Sequence, residues 1–311
     1  MKYTFIFPCD EFNRKLPDSE YSEEYSVASS LGFDCILLDH TRLTQSDIVL
    51  FLFHANDDAN KIFSVDSIFI YRGWMLKVEQ YTRLYNYLIN IGNVRNVSLT
   101  MLNTPAQYEV CHHFDESYEH LYDKVTVNKI KKYVHVDEMN IRDVKKDFPT
   151  SFLMKDNVKS VKSKEFPGVI NSDISNEDFL RLLERFIDLR GTLYTGNIIL
   201  KEYYPLKKYF NPRSDNSYIT NEWRVFYLNN QVLSMEPNSN QYSISDTTSS
   251  PKEAIYNDAI INLPSKFYTV DFAELEDGTW IVIETGDGQV SGLSPNQSIV
   301  NFYQRIKDIL S

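Results

Sequence analysis

The chain has 311 residues, of which 42% are hydrophobic, and carries a formal net charge of −11. So large an apolar share excludes disorder over most of the length, and the length permits two or three packed subdomains. The acidic balance repels phosphate backbones and argues against general nucleic-acid binding.

Three cysteines, Cys9, Cys35 and Cys111, lack CxxC spacing. An odd, scattered set indicates neither a disulfide framework nor zinc and fits a reducing cytosol. No apolar stretch approaches the roughly 18 residues of a membrane span, and the opening MKYTFIFP is too short for a signal peptide's apolar core. A soluble, cytoplasmic protein is expected, and 21 Tyr with 19 Phe favour sheet-rich structure.

In chain order, strands are expected over 2–7, 35–39, 47–53 and 67–71, with a helix over 20–31 closed by Gly32, which together make a small α/β unit. Residues 74–91 read as a helix with Val78, Tyr81, Tyr85 and Leu88 on one face and Gly92 as its stop. A second section starts near Thr104-Pro105, helical to about residue 121 and then mixed and Lys-rich to Pro149. SFLMK (151–155) is a short strand. A helix over 176–190 has Ser175 as N-cap, Phe179, Leu182, Leu183, Phe186 and Ile187 inside, and Gly191 after it. Strands follow over 197–204, 222–228 and 231–237, the last two joined by Asn229-Asn230. The polar stretch 239–250 reads as a loop, and helices near 251–262 and 296–310 close the chain.

The run VDFAELEDGTWIVIETGDGQ (270–289) reads as two apolar strands joined by a two-residue turn at Asp277-Gly278. Glu276 then faces Thr279, and Asp271 stands directly opposite Glu284. Opposed side chains share a sheet face with Cβ atoms about 4.5–5.5 Å apart. Two carboxylates there destabilise the hairpin unless a cation lies between them, and a hard divalent ion such as Mg²⁺ is the natural candidate. The plainer alternative is solvated acids at strand ends, and a slip of one residue would set the pair on opposite faces.

Lys155 ends a strand and opens a basic loop with Lys159, Lys162 and Lys164, suited to phosphate oxygens or simply solvated. Lys201-Glu202-Tyr203-Tyr204 closes another strand, and backbone groups of such a segment can pair with an adenine edge. In EWRVFYL, Glu222 and Arg224 share one face. Arg224 could neutralise a transferring phosphoryl group or pair across the sheet. Arg72 joins a strand to a helix, where α/β proteins bind anionic ligands. His112, His113 and His120 read as surface or core residues, since adjacent histidines point to different helix faces. There is no nucleophile elbow, Walker loop or GxGxxG.

Taken in order, SFLMKD, ILKEYY, EWRVFYLNNQVL, VDFAELEDGTW and VIETGDGQVSG resemble the ATP-grasp ligases. YRGWML, TPAQY, KDNVKS and ETGDGQVSG are similar to the arginine-two-lysine clade of that superfamily, over nearly the whole chain from Phe7 to the last helix. The resemblance implies an α/β and α+β protein with the ATP-grasp fold. Its sections would be a Rossmann-like pre-ATP-grasp domain over 1–103, a central ATP-grasp subdomain over 104–196 and a C-terminal one over 197–311. It also implies ATP with Mg²⁺ bridging the phosphates. A carboxylate substrate becomes an acyl phosphate, and an amine substrate attacks it to give an amide and ADP.

Carried over by position, Lys155, Lys159, Lys201, Glu202, Tyr203 and Arg224 would contact ATP, with Arg224 and Lys155 as the catalytic cations. Asp271 and Glu284 would hold Mg²⁺, and Arg72 would meet the substrate. One departure concerns the position two after Glu284, commonly Asn in the superfamily and Gly286 here; Asp287 is the candidate replacement. The rivals are a non-catalytic ATP-binding protein of the same fold, and a phosphotransferase or nucleic-acid ligase with a nucleophilic lysine.

Overall fold

Lys2–Pro8 (β1), Asp34–Leu38 (β2) and Ser67–Tyr71 (β4) are nearly unbroken apolar runs, which suits strands covered on both faces. In the computed structural model they lie in a five-stranded sheet completed by Leu52–Phe53 (β3) and Leu99–Met101 (β5), in the order β3-β2-β1-β4-β5. β1 runs parallel to β2 and β4, β4 parallel to β5, and only β3 is antiparallel. The structure describes residues 2–44, 52–53, 59–161, 163, 165–208, 219–238, 249–294 and 296–311. Lys162, Lys164, most of the strand expected over 47–53 and most of the loop expected over 239–250 lie outside the described residues.

Side chains alternate across this sheet, as the strand period requires. Ile6, Ile36, Leu38, Phe69 and Tyr71 form one core with Tyr81, Leu84 and Leu88 of the helix Val78–Arg95. Phe5, Phe7, Cys35, Leu37 and Ile70 form the other with Ala28 of Ser22–Ser30 and with Phe302, Tyr303 and Ile306 of Ile299–Leu310. The small α/β unit is thus present, with helices packed on both faces of its sheet. Its long helix does not stop at Gly92: a Cβ there would meet Val97 O at 2.6 Å, so the glycine is a packing requirement inside the helix. The stop is Asn96, in the left-handed region at φ 58°. All three cysteines are buried and free.

A second sheet contains Ile130–Tyr133 (β6), Ser151–Lys155 (β7), Ile170–Asn171 (β8) and Ile198–Glu202 (β9), all antiparallel in the order β6-β9-β7-β8. Phe152, Met154, Ile198 and Leu200 pack against Phe179, Leu183 and Phe186 of the helix Asn176–Arg190. Ser175 caps that helix, its Oγ accepting from the Asp178 N–H at 3.0 Å. The opposite face of β7 and β9 therefore carries Leu153, Lys155, Ile199 and Lys201.

A third sheet has the order β11-β10-β12-β13, from Glu222–Leu228 (β10), Gln231–Pro237 (β11), Phe267–Glu274 (β12) and Trp280–Asp287 (β13). Asn229 and Asn230 join β10 to β11, both at positive φ (47° and 62°), the turn their identity predicts.

The chain resolves into two units: residues 1–111, 223–270 and 286–311, and residues 112–222 with 271–285. This division cuts across the consecutive sections 1–103, 104–196 and 197–311. Among the described residues, no helix is long and apolar enough to cross a membrane.

Candidate functional site

The hairpin that carries Asp271 and Glu284 turns through three residues, one more than its Asp-Gly dipeptide suggests. The Leu275 N–H donates to Thr279 O at 2.8 Å and the Gly278 N–H to Leu275 O at 3.0 Å. Gly278 takes the left-handed position at φ 88°, as a three-residue loop of this kind demands. Counted from this end, Asp271 falls opposite Ile283. At the other end the Gly288 N–H donates to Phe267 O at 3.0 Å, a count that sets Asp271 opposite Glu284. β13 therefore holds one extra residue between the two ends, a bulge the sequence pattern does not reveal. Both carboxylates act on one ammonium group, that of Lys201.

The lysines come from the second sheet. Leu153 pairs with Lys201 and Lys155 with Ile199, so Lys155 and Lys201 are diagonal neighbours on one face of β7 and β9. The Lys155 ammonium donates to Glu284 Oε1 at 3.0 Å, and Lys201 donates to the Ile283 carbonyl. Each Nζ also lies about 5 Å from the Phe114 ring centre, at 5.1 Å for Lys155 and 5.0 Å for Lys201.

Burial and neighbouring charges together set the protonation states. Burial pushes Lys201 down to about 7, with Lys155 adding repulsion and Glu284, Glu222 and Asp271 opposing both. Burial also acts to raise Glu284, but Lys155, Lys159 and Lys201 overcome it and hold the carboxylate down at about 2.

β7 ends in a turn built on Asp156. Its Oδ1 accepts from the N–H groups of Val158 (2.9 Å) and Lys159 (2.7 Å), and its Oδ2 from Arg190 Nε (2.8 Å). That turn fixes Lys159, whose charge acts on Glu284. His112, read from sequence as a surface or core residue, is buried. Burial, His113 and Lys159 drive its pKa down to about 3, and Glu284 also acts on it. Sequence reasoning gave no role to Phe114 either, since nothing local marks an aromatic as the partner of two distant lysines.

Glu202 and Tyr203 serve the fold. The Glu202 N–H donates to Lys129 O (2.8 Å), its carbonyl accepts from Asn128 Nδ2 (3.0 Å), and the Tyr203 N–H donates to Ser151 O (3.2 Å). The two N–H groups are thus engaged within the unit, while the Glu202 carbonyl keeps a second lone pair for another donor. The Glu202 carboxylate accepts from the Tyr204 hydroxyl at 2.8 Å.

In the other unit, Arg224 donates to Gly292 O at 3.1 Å and lies opposite Glu236 in the β10–β11 ladder. Arg72 departs from the expected substrate contact. It is 1% exposed, forks onto both oxygens of Glu24 at 2.9 Å, and donates from Nη1 to Gly288 O (2.6 Å) and Ser291 O (2.8 Å). Tyr303 donates to the same Glu24 carboxylate at 2.7 Å.

Asp287 likewise does not fit a metal ligand. It is fully buried, Oδ1 accepts from the Gln289 N–H (2.8 Å) and Nε2 (3.2 Å), and Oδ2 accepts from Asn103 Nδ2 (2.6 Å). Among the described residues, no three His, Cys, Asp or Glu side chains converge as a metal cage. Asp271 and Glu284 beside lysines instead form a donor set suited to an ion that shares its shell with phosphate oxygens, as Mg²⁺ does.

A family model described as "ATP-grasp domain, R2K clade family 3" matches residues 141–306. Among solved structures, the chain resembles a RimK domain ATP-grasp protein from Sphaerobacter thermophilus (TM-score 0.60, 14% identity, covering 99% of this chain and 98% of that one). It also resembles D-cycloserine synthetase DcsG (TM-score 0.59, 12% identity, 99% and 100% covered). A third likeness is to a D-alanine–D-alanine ligase from Bacillus anthracis complexed with ATP (TM-score 0.55, 12% identity, 100% and 95% covered). At these identities the likeness establishes the fold. No curated protein sequence matches the chain.

Proposed function

The chain belongs to ATP-grasp R2K clade family 3, and from that premise we propose that it is an ATP- and Mg²⁺-dependent carboxylate–amine ligase working through an acyl phosphate. The observation that carries the reading is the charged cluster of Lys155, Lys201, Asp271 and Glu284. Two buried ammonium groups and two carboxylates together match a metal–triphosphate better than either charge alone.

In this reading Lys155 and Lys201 bind phosphate oxygens, and Lys159, on the turn after β7, adds a third cation. Asp271 and Glu284 are the carboxylates that would hold Mg²⁺, which when bound offsets phosphate charge as a Lewis acid. For Arg224, which belongs to the other unit, the family likeness supports a role on phosphoryl or acyl-phosphate oxygens. The chain's own work is orientation and charge stabilisation: the γ-phosphoryl is held in line with the substrate carboxylate, and the leaving ADP oxygen is neutralised. An amine then displaces phosphate to form the amide. The acidic chain and its reducing-type cysteines support small-molecule or peptide substrates in the cytoplasm.

The test is ADP release measured against pools of carboxylates and amines, with hydroxylamine as a trap. Release that needs a carboxylate, with hydroxamate formed when hydroxylamine replaces the amine, is the expected result. ADP formed without any carboxylate would overturn the ligase reading. A stable mass increase on a lysine after incubation with ATP would favour nucleotidyl transfer instead.

A further inference from the structure

We propose that Phe114 is a positioning residue, its ring a shared π platform that holds the Lys155 and Lys201 ammonium groups side by side for the phosphates of a bound nucleoside triphosphate. The inference rests on the nucleotide reading of the two lysines.

Lys155 and Lys201 are each 6% exposed and stand diagonally on one sheet face. Two like charges so close and so poor in water repel each other. Among the described residues, one protein acceptor meets each of them, Glu284 Oε1 for Lys155 and Ile283 O for Lys201. An ammonium has three donors, so further N–H groups on both are left for a ligand. The Phe114 ring centre lies within the roughly 6 Å reach of a cation–π contact for both charges at once. Four other described rings meet one cation each: Phe302 with Arg72, Phe63 with Arg95, Phe148 with Lys129 and Tyr133 with Lys131.

The chemistry of a ring suits this place. Its negative face attracts both cations yet competes only weakly with phosphate for their N–H groups. A carboxylate there would occupy the donors and repel the ligand, and an aliphatic side chain would leave the repulsion unopposed. The ring is also fixed. Phe114 is 1% exposed, and its N–H donates to Asn157 O at 3.1 Å, in the turn that follows Lys155. It opens the helix Phe114–Leu121, whose Ser117 hydroxyl lies 2.6 Å from that of Thr285, next to Glu284. The platform is thereby tied to the strand ends that carry Lys155 and Glu284.

The experiment measures the Kd of Mg·ATP by calorimetry, with thermal stability in parallel, for Phe114→Leu, Phe114→Tyr and Lys201→Met. A second series places mono-, di- and trifluorinated phenylalanine at position 114, which drains the π face while keeping the ring's shape. Phe114→Leu should weaken ATP about tenfold, equivalent to ~1.4 kcal/mol, and Phe114→Tyr should stay within about twofold of the parent, since it keeps the π face. The fluorinated series should lose affinity stepwise at unchanged Tm, and it decides the matter if Phe114→Leu does not fold. A flat series overturns the proposal. If Lys201→Met weakens ATP while the series is flat, the nucleotide reading stands and Phe114 is packing alone. If Lys201→Met leaves the Kd untouched, the nucleotide reading fails and the proposal with it.

Discussion

Lys155 Nζ lies 3.0 Å from Glu284 Oε1, an ion pair between residues 129 positions apart in the chain. Although 37% of the Glu284 side chain is exposed, the lysines around it keep it ionised well below neutral pH. It is thus a permanent hard oxygen donor. Glu284→Gln keeps the shape and deletes the charge, leaving Lys155 and Lys201 to repel each other. We expect Mg²⁺-dependent ADP formation to fall by about a hundredfold or more, with circular dichroism unchanged. Turnover at the parent rate would remove Glu284 from the metal site.

Lys201 should give a pH signature. Its pKa is lowered from 10.5 to about 7, by burial first and Lys155 second, so at pH 8 the free protein holds it mostly neutral. Phosphate favours the ammonium form. ATP binding at pH 8 should therefore take up about one proton, and much less at pH 6. Calorimetry in buffers of different ionisation enthalpy reads that number, and Lys201→Met should bring it close to zero. In the ligand-free protein the same shift makes stability rise with pH between about 7 and 10.5, where the unfolded chain holds a proton that the folded chain lacks. Uptake that persists in Lys201→Met would assign the titration to another group.

What the sequence made legible was local. The helix Asn176–Arg190 announced its cap, its apolar stripe and its stop, and SFLMK and EWRVFYL matched strands residue for residue. Lys155 and Arg224 were legible for the same reason, as charges on strands whose other positions are apolar. Long-range effects were not. The bulge in β13 has no sequence signal, because an extra residue in an apolar strand leaves the composition unchanged. Phe114 and His112 sit in a helical stretch with no mark of their neighbours 41 to 172 positions away (155 − 114 and 284 − 112). The two-unit division was hidden too, because β10, β12 and β13 each contribute to both units.

Arg72 is a staple between chain segments. Its fork onto Glu24 and its bonds to Gly288 O and Ser291 O join the first α/β elements to the segment after β13, all within one unit. Arg72→Ala would leave the Glu24 carboxylate, itself 7% exposed, without its cation. Breaking a buried pair in this way costs about 3–5 kcal/mol. Lysine cannot replace the fork, so Arg72→Lys should also lose stability. Chemical denaturation checks both variants. A normal unfolding midpoint with a raised KM for substrate would restore Arg72 to the substrate site.

Asp287 offers the complementary test of which acids belong to the metal. Burial raises its pKa from 3.8 to about 7, against hydrogen bonds from Gln289 and Asn103 that lower it. Between about pH 4 and 7 the folded chain then holds a proton that the unfolded chain has released, so stability declines as pH rises through that window and levels off above it. Asp287→Asn should abolish the slope. It should also lose ~1–3 kcal/mol at neutral pH, because an amide NH₂ would face the donors of Asn103 or Gln289. The Mg²⁺ concentration needed for half-maximal activity should stay about the same as the parent's, since both Asp287 oxygens are held by Asn103 and Gln289. A tenfold or larger rise in that concentration, at normal stability, would return Asp287 to the metal.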